Sequence, residues 1–277
     1  MPGTITCYPN GFNRDRAIEL GKLVQQAYEQ FQKSKDHQAW HVRGPYDNLV
    51  EFSARPDSLF SLVAPEPFGF VARSQVNGGV HVVFRGTQSP ADWIANLRFP
   101  QTPNTLGGQH TLGGKVEVGF SFVYGQCSGV ILAKLRELKT AGTLQRLDVT
   151  GHSLGGALAT LCAADIVSQP DLIPPQLYTF ASPRTGDRHF AAAFNSKCPD
   201  TWRTVNTEDI VNTVPLATPM VAFLHEPLKA IFASLTHLEY EHVGTPVDFT
   251  KHNETIIDNH KMETYIAALE ASMAIGG

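Results

Sequence analysis

Apolar positions follow two periods along this chain, and the switches between them mark its elements. From Asn13 to Lys33, residues Ala17, Ile18, Leu20, Leu23, Val24 and Ala27 recur mostly three or four apart, which predicts an amphipathic helix with Asn13 as its cap. Phe68 to Arg73 and Val80 to Phe84 read as strands, and Asn77-Gly78-Gly79 supplies turn chemistry for a hairpin between them. A glycine-rich loop is expected from Pro103 to Lys115. A long helix follows from Ser121 to Lys139, with Val123, Ile131, Leu132 and Leu135 at its spacing. Strands are expected at Arg146 to Thr150, Gln176 to Phe180 and Thr201 to Val205, with a short helix at His189 to Phe194. Strands alternating with helices imply an α/β fold: a mostly parallel central sheet covered on both faces, with working loops at the carboxyl ends of its strands. Nothing in the composition divides residues 1–277, so one domain is expected.

The sharpest local signal is Leu147 to Ala159, LDVTGHSLGGALA. An apolar β-branched run stops at Gly151, Ser153 stands two residues on, and helical spacing resumes through Leu158, Leu161 and Ala164. Strand, tight turn with serine at its tip, then helix: this is a G-x-S-x-G nucleophile elbow. Strand and helix must pass close together at such a turn, so the positions two before and two after the serine carry almost no side chain. Gly151 and Gly155 meet that demand. The backbone N–H of Leu154, at the start of the new helix, then points where an oxyanion would form.

A serine needs a histidine to take its proton and a carboxylate to hold that histidine. Chain order in this architecture is serine, acid, histidine, which places the acid at a later strand exit. Asp209 is preferred there over its neighbour Glu208, because the shorter side chain is the commoner orienter. Asp187 reads instead as a helix N-cap. Five histidines follow: His225, His237, His242, His252 and His260. His260 stands in a polar loop entering a helix with Met262, Ile266 and Leu269 on one face, and is the preferred base; His242, in an alternating strand-like stretch, is the alternative. Thr87, after Phe84-Arg85-Gly86, is the candidate for the second oxyanion donor, and a Thr in that place also suits a helix cap.

Composition narrows the chemistry. A net charge of -4, with both signs interspersed, gives no pull toward nucleic acid or an anionic surface, and a neutral substrate fits best. The N-terminal residues lack a basic start and apolar run, so the expectation is a cytoplasmic protein, or a secreted one if a leader has been removed. The apolar stretch Val214 to Leu224 is broken by Pro215 and Pro219, and no segment is expected to span a membrane. Cys7, Cys127, Cys162 and Cys198 are scattered, without metal-type spacing; they leave room for one disulfide but not a framework, and Cys162 reads as a buried small residue. No metal or cofactor is required, and the oligomeric state is open.

Taken together these pieces resemble the fungal-type class 3 lipases of the α/β-hydrolase fold. The resemblance rests on Val82 to Thr87 with Asp92-Trp93 and Asn96-Leu97, Val118-Gly119-Phe120, Thr150 to Ala157, Phe180 to Arg184, Asp209-Ile210-Val211, and His260 ahead of Met262 and Tyr265. It implies hydrolysis of lipid esters by Ser153, His260 and Asp209 through an acyl-enzyme, with Thr87 and Leu154 as oxyanion donors and transient contact with a lipid–water interface. It also implies a short lid helix at residues 88–98, with Trp93 matching the family's lid tryptophan and Ile94 and Leu97 facing substrate. A second cap is a further reading for residues 215–236, where Leu228, Ile231, Phe232 and Leu235 recur at helical spacing; a helix buried on the sheet fits the same pattern. A phospholipase, galactolipase or feruloyl esterase would use the same triad, and a silent hydrolase relative that only binds would be expected to break it.

Overall fold

The computed structural model describes residues 5, 7–56, 64–87, 100–215 and 239–272. The expected lid (88–98, with Trp93, Ile94 and Leu97), all but Pro215 of the 215–236 segment, and His225 and His237 lie outside the described residues.

A seven-stranded sheet organises the chain. Its strands are β1 (Tyr46–Ala54), β2 (Glu66–Ser74), β3 (Val80–Phe84), β6 (Leu147–His152), β7 (Gln176–Phe180), β8 (Thr201–Asn206) and β9 (Thr245–Phe249), side by side in that order. The first three pair antiparallel, and β3 through β9 run parallel. Between β3 and β6, short strands β4 (Gln101–Pro103) and β5 (Lys115–Glu117) form a two-stranded ribbon around the expected glycine-rich loop. The expected hairpin is β2–β3, with Val80, Val82 and Phe84 facing one side and Val83 the other.

Helices cover both faces, as the β/α alternation predicts. On one side lie α2 (Val118–Thr140) and α3 (Leu154–Val167), in a core with Phe52, Val82, Phe84 and Val149. On the other lie α1 (Arg14–Lys35) and, near the C-terminus, α6 (Met262–Ala271), packed on Phe70, Val83, Tyr178 and Phe249. Asn13 caps α1 as expected, its side chain accepting from the Arg16 N–H at 2.9 Å. Asp187 caps α4 (Arg188–Lys197) by accepting from the Phe190 N–H at 2.8 Å, again as expected.

The structure adds two strands and corrects one expectation. Strands β1 and β9, which the apolar pattern did not announce, are the two edges of the sheet. His242 lies not in a strand but in a loop joined to Gly186 through a single bridge at Glu241. No segment was expected to span a membrane; among the described residues α2 is long and apolar enough to do so by length and composition alone. Here its Phe120, Val123, Cys127, Ile131 and Leu135 are buried in the core, while Lys134, Arg136, Glu137 and Lys139 line its outer face, so it serves as a layer over the sheet. All four cysteines are free thiols, and Cys162 is buried within α3.

Candidate active site

Ser153 occupies the turn between β6 and α3 with φ 59° and ψ -130°, a conformation an L-residue holds only under constraint. The constraint is visible around it. A Cβ on Gly151 would fall 2.1 Å from the Gly155 carbonyl oxygen, and one on Gly155 would fall 2.5 Å from that of Arg85. The two glycines of the elbow let the helix pass against its own strand and against the end of β3. The Ser153 N–H donates to the Phe180 carbonyl at 2.9 Å, tying the turn to β7. Every residue of α3 up to Ile166 is buried, which explains its run of small and apolar residues. Because α3 begins at Leu154, that residue's N–H is one of the first-turn donors with no partner inside the helix.

Asp209 leaves the end of β8 and begins a one-turn helix, Ile210–Thr213. Its carboxylate is buried and fully occupied: Oδ1 accepts from the Val211 N–H at 2.9 Å, and Oδ2 from His260 Nδ1 at 2.7 Å and from the Tyr265 hydroxyl at 2.6 Å. The neighbouring Glu208 points outward to His252, 3.0 Å away at the surface. Of the two acids considered at this strand exit, Asp209 is the one turned inward.

His260 is the last residue of a short helix, α5 (Ile256–His260), rather than part of a loop, and Lys261 links it to α6. With Nδ1 donating to Asp209, its Nε2 carries the lone pair. That Nε2 and Ser153 Oγ are both buried and have no hydrogen-bond partner among the described residues. His152, next to the serine, brings the two segments together: its ring centroid is 4.6 Å from that of His260, and its Nε2 donates to the His260 carbonyl at 2.7 Å. His152 Nδ1 must then accept, and Tyr28 on α1 supplies the hydroxyl at 2.8 Å. Burial, followed by the electrostatic influence of the neighbouring His260 ring, holds the His152 imidazole well below the ordinary histidine pKa, so this ring is a neutral strut.

The other base candidate is engaged elsewhere. His242 Nε2 donates to the Asn212 carbonyl at 2.7 Å, and burial together with Arg203 and Arg184 depresses its pKa. Thr87, by contrast, shares a cleft with His260. The cleft holds about 570 Å³ and is lined by Tyr28, Thr87, His152, His260 and Met262 among others; Thr87 Oγ1 is buried with no partner among the described residues.

Tyr28 escaped the sequence reading, and the roles of Arg85 and Tyr265, named there only as matching positions, escaped it too. Tyr28, Arg85 and Tyr265 are held by groups 58 and 124, 18 and 19, and 56 residues away respectively, and nothing local marks them. The only hint was negative: a hydroxyl or guanidinium on an otherwise apolar face needs a partner when buried.

Comparison with known proteins agrees with this geometry. The family model for class 3 lipases matches residues 81–218, from β3 past Asp209. The chain is 36% identical over 159 residues to a lipase of Rhizomucor miehei, covering 56% of this chain and 42% of that protein. A solved structure of the Rhizomucor miehei lipase with its propeptide superposes with a TM-score of 0.64 at 26% identity, covering 90% of this chain and 72% of that one. This chain is 33% identical over 146 residues to a secreted mono- and diacylglycerol lipase of Fusarium solani, covering 53% of this chain and 42% of that protein. A third relative, a rice phospholipase A1 named as chloroplastic or mitochondrial, is 31% identical over 218 residues, covering 70% and 48%. The chain thus spans less than half the length of these three relatives. With its elbow, its strand order and these matches, the chain belongs to the class 3 lipase family of the α/β-hydrolase fold.

Proposed function

We propose that this chain hydrolyses carboxylic esters of lipids through an acyl-enzyme, with Ser153 as nucleophile, His260 as base and then acid, and Asp209 as orienter. Ser153 Oγ attacks the ester carbonyl as His260 Nε2 removes its proton. The tetrahedral oxyanion is received by the N–H groups of Leu154 and Thr87, and His260 returns the proton to the leaving alcohol. Water, activated by the same imidazole, then releases the acid and restores the serine. The observation that carries this reading is the 2.7 Å contact between His260 Nδ1 and Asp209, which leaves Nε2 with its lone pair free, on a residue that His152 ties to the turn carrying the buried, strained Ser153.

Replacement of the serine tests it. Ser153→Ala is expected to lower p-nitrophenyl ester hydrolysis at least 10⁴-fold with the fold intact by circular dichroism, and retained turnover rejects the assignment. The rice relative favours a second reading within the same chemistry, phospholipid rather than acylglycerol hydrolysis, and a head-group and chain-length panel separates the two.

We treat residues 1–277 as one domain, supported by a single sheet that draws strands from both halves of the chain. Residues 88–98 are proposed as the lid, so activity should jump at the solubility limit of a short-chain triglyceride, and smooth saturation would argue against it. The names of the Fusarium and rice relatives favour action outside the cell or in an organelle over the cytoplasmic expectation.

A further inference from the structure

Arg85 is the charged side chain nearest in sequence to Thr87, yet it is only 1% exposed. Its guanidinium is stacked between two rings, 3.8 Å from the centroid of Phe31 and 4.4 Å from that of Phe68. All its sides are engaged. Nε donates to the Pro67 carbonyl at 2.6 Å, one terminal nitrogen donates to the Glu66 carboxylate, and the other donates to the Gly86 carbonyl at 2.7 Å.

That last bond reaches the site directly. The Gly86 carbonyl and the Thr87 N–H belong to one planar trans peptide, so holding the oxygen fixes the direction of the N–H on its opposite side. The same glycine is gripped at its other end, where its N–H donates to the Tyr28 hydroxyl at 3.0 Å. There is no slack around it: a Cβ on Gly86 would fall 2.6 Å from that hydroxyl, 2.7 Å from the His152 carbonyl oxygen and 2.8 Å from Ser153 Cβ. The strand end is pressed onto the elbow, with both of its backbone groups held.

We propose that Arg85 is a positioning residue for the oxyanion site, its rigid fork aiming the Thr87 N–H at the carbonyl attacked by Ser153. The inference rests on the ester-hydrolase reading given above. Core filling alone does not account for it, because a buried, hydrogen-bonded ion pair is often no more stabilising than hydrophobic residues of the same volume. Lysine cannot substitute. Its ammonium would have to serve Glu66, the Pro67 carbonyl and the Gly86 carbonyl from a single point, where the guanidinium reaches them from separate nitrogens in one plane.

The test separates aim from folding by counting active sites. Arg85→Lys and Glu66→Gln are titrated with a p-nitrophenyl phosphonate, and turnover of p-nitrophenyl butyrate is expressed per titrated site. For Arg85→Lys we expect kcat per site to fall about 10- to 100-fold with KM changed less than threefold. The phosphonylation rate should fall in parallel, since that reaction also develops an anionic oxygen at the site. Glu66→Gln, a partly buried position whose change leaves the guanidinium in place, should lose about three- to tenfold and keeps the proposal testable if the lysine variant does not fold. A normal kcat per titrated site in either folded variant, even with a lowered titre, overturns the proposal. A wild-type chain that the phosphonate fails to titrate overturns the ester-hydrolase reading and this inference together; a titrated wild type with unaffected variants overturns only the inference.

Discussion

The Tyr265 hydroxyl offers a way to weigh the support behind Asp209 without touching the cleft. It is fully buried on α6, donates to Asp209 Oδ2 at 2.6 Å, and accepts from Asn212 Nδ2 at 3.2 Å and from the Asn206 N–H at 3.4 Å. Tyr265→Phe removes that oxygen and little else. A hydrogen bond to a charged group is worth about 1.5–3 kcal/mol. The losses elsewhere are small, because Asn212 Nδ2 keeps the Asn206 and Asp209 carbonyls at 3.1 and 3.3 Å, and Asp209 keeps Val211 and His260. The expected cost is therefore about 2 kcal/mol of stability, or about 3–4 °C in Tm for a chain of this size. Asp209 would also hold His260 less firmly, so kcat on a p-nitrophenyl ester should fall about tenfold. KM should stay within twofold, since Tyr265 is absent from the cleft lining. Differential scanning calorimetry and steady-state kinetics on one preparation read both. A Tm within 1 °C of wild type together with unchanged kcat would refute the reasoning; a loss confined to KM would move Tyr265 from support of the acid to contact with substrate.

Two further predictions follow from the histidines. His152 and His242 are both buried with depressed pKa values, so below the unfolded-chain value near 6.5 the unfolded state takes up protons that the folded state refuses; the stability is complete above about pH 6.5 and declines by up to about 1.4 kcal/mol per pH unit for each histidine as pH falls toward the folded values. Urea denaturation at pH 7, 6 and 5 measures this, and a flat midpoint rejects it. His260→Asn should abolish turnover by at least 10³-fold, whereas His242→Asn, whose amide still offers a donor to the Asn212 carbonyl, should keep most of it; the reverse order would exchange their roles.

Local demands made much of this protein readable. The elbow announced itself because a serine at positive φ needs Gly151 and Gly155 for the close approach of strand and helix, a requirement carried by neighbouring residues. Asp209 and His260 could be placed from chain order and strand exits. Strands β1 and β9 stayed hidden for a reason of position: each is an edge with one neighbour. In β1 half-buried Tyr46, Asp47, Leu49 and Val50 and two register shifts blur the alternation, and in β9 exposed Pro246 falls where only an edge strand accepts proline. The grip of Tyr28 on His152 and of Tyr265 on Asp209 was beyond reach, since a hydroxyl's direction is set by packing between helices and strands far apart in the chain. Arg85 was visible as a residue, but its burial between Phe31 and Phe68 was not.

The most direct test of the account is to locate the nucleophile chemically. After reaction of the full chain with a p-nitrophenyl alkylphosphonate, peptide mass spectrometry should find one equivalent of phosphonyl group, on Ser153, formed at least 10³-fold more slowly in His260→Asn. Stoichiometric labelling of another residue, or an unlabelled chain that still hydrolyses esters, would contradict the account.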